Sequence, residues 1–219
     1  MTLYKEKKIS YYTSVRTDLV KLLPAGKPLK VLEIGAGGGD TLVKIKQDGI
    51  AAEVVGVELF DLPGSNQQHP AIDKMIIADI EHSDIDLPVG YFDAVICGDV
   101  LEHLYNPWEV VSKLSGYLVK GGLLIVSVPN FSHFSVFWQL FVKRSFAYSS
   151  KGTFDKTHVR FFCKNDMRQL VENSQLQQSR IYANINLVPC RARLLNRLTL
   201  GVFESYITPQ YVAVSVKTA

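Results

Sequence analysis

Apolar residues along this chain fall into short continuous runs separated by stretches of helical spacing. The runs are 30–34 (Lys30-Val31-Leu32-Glu33-Ile34), 53–58, 74–79, 92–97 and 122–128. Runs of this length, apolar throughout rather than alternating, are expected of strands covered on both faces. Between them, 41–46 and 106–117 carry helical spacing, and Pro107 suits a first helical turn. Residues 10–23 place apolar side chains at 12, 15, 19, 22 and 23, which predicts a helix closed by Pro24 and Gly26. Near the end, 180–187 and 211–216 predict two more strands. Five parallel strands and a closing pair make an α/β fold with a doubly wound, seven-stranded, mostly parallel sheet.

The first run leads through Gly35, Gly37 and Gly39 into the helical pattern beginning at Thr41. A strand, a glycine turn and a helix aim free N–H groups at the strand's carboxyl edge, where a bulky ligand can approach bare backbone. The dinucleotide fingerprint G-x-G-x-x-G fails here, because Asp40 stands at its third small position. The phosphate-loop pattern fails too, since no Gly-Lys-Ser/Thr follows. What remains is an acid followed by GxGxG, from Glu33 to Gly39.

Ligands of such sheets lie beyond the strands' carboxyl ends. Glu58 ends the second run, 23 positions after Gly35. A carboxylate there can accept both hydrogen bonds of a ribose diol. Asp79 ends the third run, where it can accept from an adenine amino group while Ile80 packs on the ring. Cys97-Gly98-Asp99 ends the fourth. Any one of these acids could simply cap the next turn; three in register with the glycines point to a nucleoside.

Together with Phe92-Asp93-Ala94-Val95 and Leu118-x-x-Gly121-Gly122, these residues resemble a class I S-adenosylmethionine-dependent methyltransferase over about residues 30–130. The resemblance implies a Rossmann-like methyltransferase fold and S-adenosyl-L-methionine as cofactor. It assigns the methionyl part to Gly35 and Gly37, the ribose to Glu58 and the adenine to Asp79. Glu33, Ala36, Leu59, Ile80, Gly98 and Asp99 join them as cofactor-binding residues, and Tyr12 and Arg16 close over the carboxylate. A narrower resemblance rests on Asp99-Val100-Leu101-Glu102-His103-Leu104, Val128-Pro129-Asn130 and Phe154-Asp155-Lys156-Thr157-His158-Val159-Arg160-Phe161-Phe162. These are similar to a subgroup encoded beside bacterial polysaccharide and glycosyltransferase genes. That implies a sugar hydroxyl as methyl acceptor in polysaccharide biosynthesis, on a small-molecule or lipid-linked glycan.

Methyl transfer to a hydroxyl needs its proton removed or its oxygen bound to a metal. His103 and His158 are the candidate bases. Asp99, Glu102, His103 and His158 are alternatively a divalent-metal set, since small-RNA 2′-O-methyltransferases carry a similar acid-x-x-Glu-His element. His69, His82 and His133 are expected in loops or on the surface.

Residues 131–148 are unusually aromatic and lack acids. Read as a single domain spanning 1–219, the chain carries 131–162 as a lid over the acceptor. The aromatic stretch is then a lid or a lipid-facing surface, or else a buried helix; exposure of Phe137 and Trp138 separates the two.

Composition changes little. Of 219 residues 47% are apolar and 21% charged, and a net charge of +3 gives no ground for a nucleic-acid partner. No acid occurs from Asn173 to Phe203, where Arg180, Arg191, Arg193 and Arg197 lie, so that stretch is either a solvated face or one turned to an anionic substrate or membrane. Three cysteines without CxxC spacing fit a reducing, cytoplasmic setting. The polar, basic residues 1–10 show no apolar leader, and no run approaches the roughly 20 residues of a membrane span. Two other functions compete: an NAD(P)-dependent dehydrogenase, disfavoured by Asp40, and a catalytically idle cofactor-binding partner of a glycosyltransferase or other subunit.

Overall fold

A computed structural model of the chain describes residues 12–173, 175–184 and 187–219. The polar N-terminal stretch 1–10, Tyr11 and positions 185–186 of the expected strand lie outside these residues. One seven-stranded sheet organises the molecule. In chain order its strands are β1 (Leu29–Ile34), β2 (Ala51–Glu58), β3 (Lys74–Ile77), β4 (Phe92–Gly98), β5 (Leu118–Pro129), β6 (Leu176–Ala183) and β7 (Gln210–Lys217). In space they run β3-β2-β1-β4-β5-β7-β6. The first five are parallel, and β7 lies antiparallel to β5 and β6. Strand order reverses between β1 and β4, and that opens a crevice at their carboxyl ends.

Helices cover both faces. In chain order they are α1 (Thr17–Val20), α2 (Asp40–Gln47), α3 (Pro107–Tyr117), α4 (Phe134–Phe137), α5 (Lys164–Val171), α6 (Cys190–Leu198) and α7 (Glu204–Ile207). Leu32, Ile34, Val95, Cys97, Leu124 and Val126 pack on one side of the sheet, with Val111 and Leu114 of α3 and Met167 and Leu170 of α5. Their sequence neighbours Val31, Ala94, Ile96 and Ile125 pack on the other, with Leu42 and Ile45 of α2. Both side-chain sets of each strand leave water, so the runs read as continuous rather than alternating.

Three elements depart from expectation. The helix expected over 10–23 is reduced to α1, because the backbone before it is committed elsewhere. Gly38 N–H donates to Tyr12 O at 2.8 Å, and Arg16 N–H donates to Thr41 Oγ1 at 3.1 Å. Residues 12–16 are thus a strap lying on the glycine turn. The third strand stops at Ile77, which leaves Asp79 in the loop beyond it. The strand expected over 180–187 is β6, set earlier at Leu176–Ala183. Among the described residues, no helix is long and apolar enough to cross a membrane.

Candidate active site

The glycine turn owes its path to missing side chains. Gly35 and Gly37 adopt φ of 69° and 54°. A Cβ on Gly35 would lie 2.3 Å from Val100 Cγ2, and one on Gly37 would lie 2.6 Å from Tyr12 O. Backbone therefore forms the floor of a cavity of about 630 Å³ at the crevice. Tyr12, Arg16, Glu33, Gly35, Ala36, Gly37, Glu58, Leu59, Asp79, Ile80, Gly98, Asp99 and His103 all line it. Lys156, Thr157 and Val159 reach its wall from the segment after β5.

Glu58 ties the second strand to the glycine turn. Its Oε2 accepts from Gly37 N–H at 2.7 Å, and its Oε1 accepts from Leu59 N–H at 2.8 Å. Burial pushes its carboxyl up from the ordinary range, against the pull of these N–H donors. Gln67, which sequence reasoning did not single out, donates Nε2–H to Gly37 O at 2.8 Å and Phe60 O at 3.0 Å. Asp79 turns back on its own loop, where Oδ1 accepts from Glu81 N–H at 2.9 Å and His82 N–H at 3.2 Å.

Glu33 is 4% exposed, and its Oε2 has no hydrogen-bond partner among the described residues. Burial raises its pKa to about 8, offset in part by the Thr41 hydroxyl and then by Arg16. The raised group favours folding fully below its ordinary value of 4.5, and that contribution is lost as pH rises through about 8. The thermal midpoint of the wild type should therefore fall relative to Glu33→Gln across this window. The expected difference is at least about 2 °C, the movement of about 1 kcal/mol in a chain of this size. Thermal unfolding of the two at several pH values measures it, and parallel curves would mean that Glu33 stays ionised.

Arg16 is the hub of a second network. It donates to Asp18 Oδ1 and Oδ2 at 3.0 Å each, to Asp99 Oδ2 at 2.8 Å and to Ser127 Oγ at 3.0 Å. Burial opposes its charge, but Asp18 and then Asp99 outweigh that and hold the guanidinium protonated. Asp99 Oδ1 accepts from Ser127 Oγ–H at 3.0 Å and from Gln210 Nε2–H at 2.6 Å. Ser127 sits on a strand legible in the sequence; Gln210, far along the chain, carried no signal.

This network corrects the metal set. Asp99 takes φ of 56° and gives its carboxylate to Arg16, and the ligand atoms that gather with the histidines do not include it. The next turn (Leu101–His103) carries Glu102 and His103 instead toward the loop holding His158. Ligand atoms of Glu102, His103 and His158 lie within 4.8 Å of one another. The two imidazoles meet edge to face at 4.7 Å, and His158 Nε2 lies 4.0 Å from Glu102 Oε1. Each Nδ1 faces a backbone carbonyl, His103 to Thr157 O at 3.0 Å and His158 to Thr153 O at 3.2 Å. A carbonyl only accepts, so Nδ1 carries the proton and Nε2 is the basic nitrogen. His103 stands in the cavity wall, whereas His158 and Glu102 are buried behind it. The expectation that both histidines face the cavity therefore holds for His103 alone. Asp155 shapes the loop: its Oδ1 accepts from Thr157 N–H at 2.9 Å and from Thr157 Oγ1–H at 2.7 Å. His69, His82 and His133 lie in loops, as expected.

Residues 5–178 match the family described as methyltransferase domain, and the chain belongs to it. Its fold is shared with solved structures described as S-adenosylmethionine-dependent methyltransferases. One such enzyme, from Archaeoglobus fulgidus, superposes over 99% of each chain with a TM-score of 0.65 at 17% identity. Among curated relatives, the ubiquinone biosynthesis O-methyltransferase of Dechloromonas aromatica (strain RCB) is 33% identical over 115 residues, 48% of this chain and 46% of that protein. The mitochondrial ubiquinone biosynthesis O-methyltransferase of Homo sapiens is 26% identical over 176 residues, 74% of this chain and 47% of that one. The chain thus spans about half the length of the curated relatives it matches.

Proposed function

We propose that this chain binds S-adenosyl-L-methionine in the crevice between β1 and β4 and transfers its methyl group to a hydroxyl of a small molecule. The observation that carries the reading is the hydrogen bond from Gly37 N–H to Glu58, which joins an acid and a glycine turn on one cavity wall. Each Glu58 oxygen keeps further acceptor capacity, which suits a ribose diol. Gly35 and Gly37 offer backbone where a side chain would fill the site. The buried, unpartnered Oε2 of Glu33 suits the ammonium of the methionyl part.

When bound, the cofactor supplies a methyl group on a sulfonium, so transfer releases a neutral thioether. The chain's own work is then placement and proton removal. The cavity's share would be placement, since such a displacement needs the acceptor oxygen about 3 Å from the carbon it attacks. Nε2 of His103, in the cavity wall, would take the proton of the acceptor hydroxyl. Thr157 O holds the imidazole in the tautomer that can accept it. We read 131–162 as the cover of the acceptor, since its last turns supply Lys156, Thr157 and Val159 to the cavity. The names of the curated relatives favour oxygen as the methylated atom. The polysaccharide resemblance favours a sugar hydroxyl.

Calorimetric titration of the full chain with S-adenosylhomocysteine and with NAD tests the cofactor. Heat from the first and none from the second is expected, and the reverse would make the chain a dehydrogenase. Labelled cofactor incubated with an extract of the source cells identifies the acceptor. Tight cofactor binding with no labelled product would favour the idle-partner function.

A second reading is a divalent cation held by Glu102, His103 and His158. Both imidazoles donate Nδ1–H to a carbonyl, the arrangement common to metal-bound histidine. A cation there would act as a Lewis acid on the acceptor oxygen. Calorimetric titration with Mn²⁺ would then give binding in the wild type and none in Glu102→Ala. No binding in the wild type leaves His103 acting without a metal.

A further inference from the structure

We infer that the aromatic segment after β5 is a docking face for an anionic lipid bilayer. α4 continues as a π-helical turn (Trp138–Val142), and Phe134, Phe137, Trp138 and Phe141 recur at i, i+3, i+4 and i+7. With Val142 they are 46–68% exposed, and Val136 is the one residue of α4 and its π turn that is buried. Of the two alternatives for this stretch, the exposure of Phe137 and Trp138 favours a surface over a buried helix. The rings pack on one another instead, Phe134 on Phe137 at 6.1 Å and Phe137 on Phe141 at 5.1 Å. An exposed apolar stripe this continuous marks a contact surface.

Charge selects the occupant. Lys143 and Arg144 follow the stripe and are exposed, and the chain has no acid from Val110 to Phe154. α6 repeats the composition, with Arg191, Arg193 and Arg197 beside exposed Leu194 and Leu198 and no acid from Asn173 to Phe203. The two segments emerge at one end of the sheet. α4 follows the end of β5 at Pro129, which pairs with Gln210 at the start of β7, and Asn130 donates Nδ2–H to Ser205 O and Thr208 O at 2.7 Å each. A second copy of this chain on the stripe would set like charges together, because a two-fold contact joins the same patch to itself. An anionic bilayer takes the aromatic rings at its headgroup boundary and attracts the flanking cations. The cavity mouth lies at this same end of the sheet, so under the methyltransferase reading the acceptor would arrive from the bilayer.

The test is flotation of the full chain with vesicles of phosphatidylcholine alone or mixed equally with phosphatidylglycerol. Binding to the mixed vesicles should exceed that to the neutral ones by more than about tenfold, each basic residue near such a surface being worth roughly fivefold. Lys143→Glu with Arg144→Glu should remove most of that advantage, and Phe137→Ser with Trp138→Ser and Phe141→Ser should abolish binding. In a Trp108→Phe background, Trp138 emission should shift to the blue on mixed vesicles. Equal or absent binding to the two vesicles, or unshifted emission, would overturn the inference. So would a dimer that the triple substitution dissociates. Titration of the same variants with S-adenosylhomocysteine should be unchanged, so failure on vesicles leaves the cofactor reading intact.

Discussion

Replacement of His103 by alanine is expected to slow methyl transfer by about 10²–10⁴, the range for loss of a positioned general base, with affinity for S-adenosylhomocysteine unchanged. Of the two paired imidazoles, His103 is the one that stands in the cavity wall. Its ring is held twice, by the carbonyl of Thr157 on Nδ1 and by an edge-to-face contact with His158. His158→Ala should have the smaller effect, since His158 is buried behind that ring and acts through it. Single-turnover rates with the identified acceptor, set beside cofactor titrations, separate chemistry from binding. Equal turnover in His103→Ala would remove the base from the mechanism and leave the imidazole pair as packing.

Glu58→Ala is expected to weaken S-adenosylhomocysteine binding by more than about tenfold, because a hydrogen bond to a charged acceptor contributes about 1.5–3 kcal/mol. Two losses combine in this variant. The ribose loses its acceptor, and Gly37 N–H and Leu59 N–H lose theirs, which loosens the turn that floors the cavity. Glu58→Gln keeps one acceptor oxygen, but its amide nitrogen cannot receive an N–H, so it should fall between the two. Calorimetry on the three proteins gives the order directly. Unchanged affinity in the alanine variant would take Glu58 out of the site.

The sheet was legible in the residues themselves. Val31 and Leu32, like Val95 and Ile96, are adjacent apolar residues that bury on opposite faces, and only a strand covered on both sides has use for such runs. The glycine turn and the acid at Glu58 were legible for a similar reason. Both sit at strand ends, and strand ends converge wherever the sheet is parallel. Exposure of the aromatic segment was left open by its composition, since a rich apolar stripe serves a core as well as a surface.

Residues 12–16 show where local pattern stops deciding. Their spacing is helical, yet Tyr12 O and Arg16 N–H are taken by Gly38 and Thr41, so the segment lies across the glycine turn. Asp99 shows it again. In the sequence it stands with Glu102 and His103, but it takes a positive φ and its carboxylate is held by Arg16, Ser127 and Gln210, the last 111 residues away. Periodicity and strand-end chemistry are properties of neighbouring residues, so this chain's fold and the acids at its crevice could be read from order alone. The side to which each acid turns depends on partners that only the folded chain brings near, and there the tertiary structure decided.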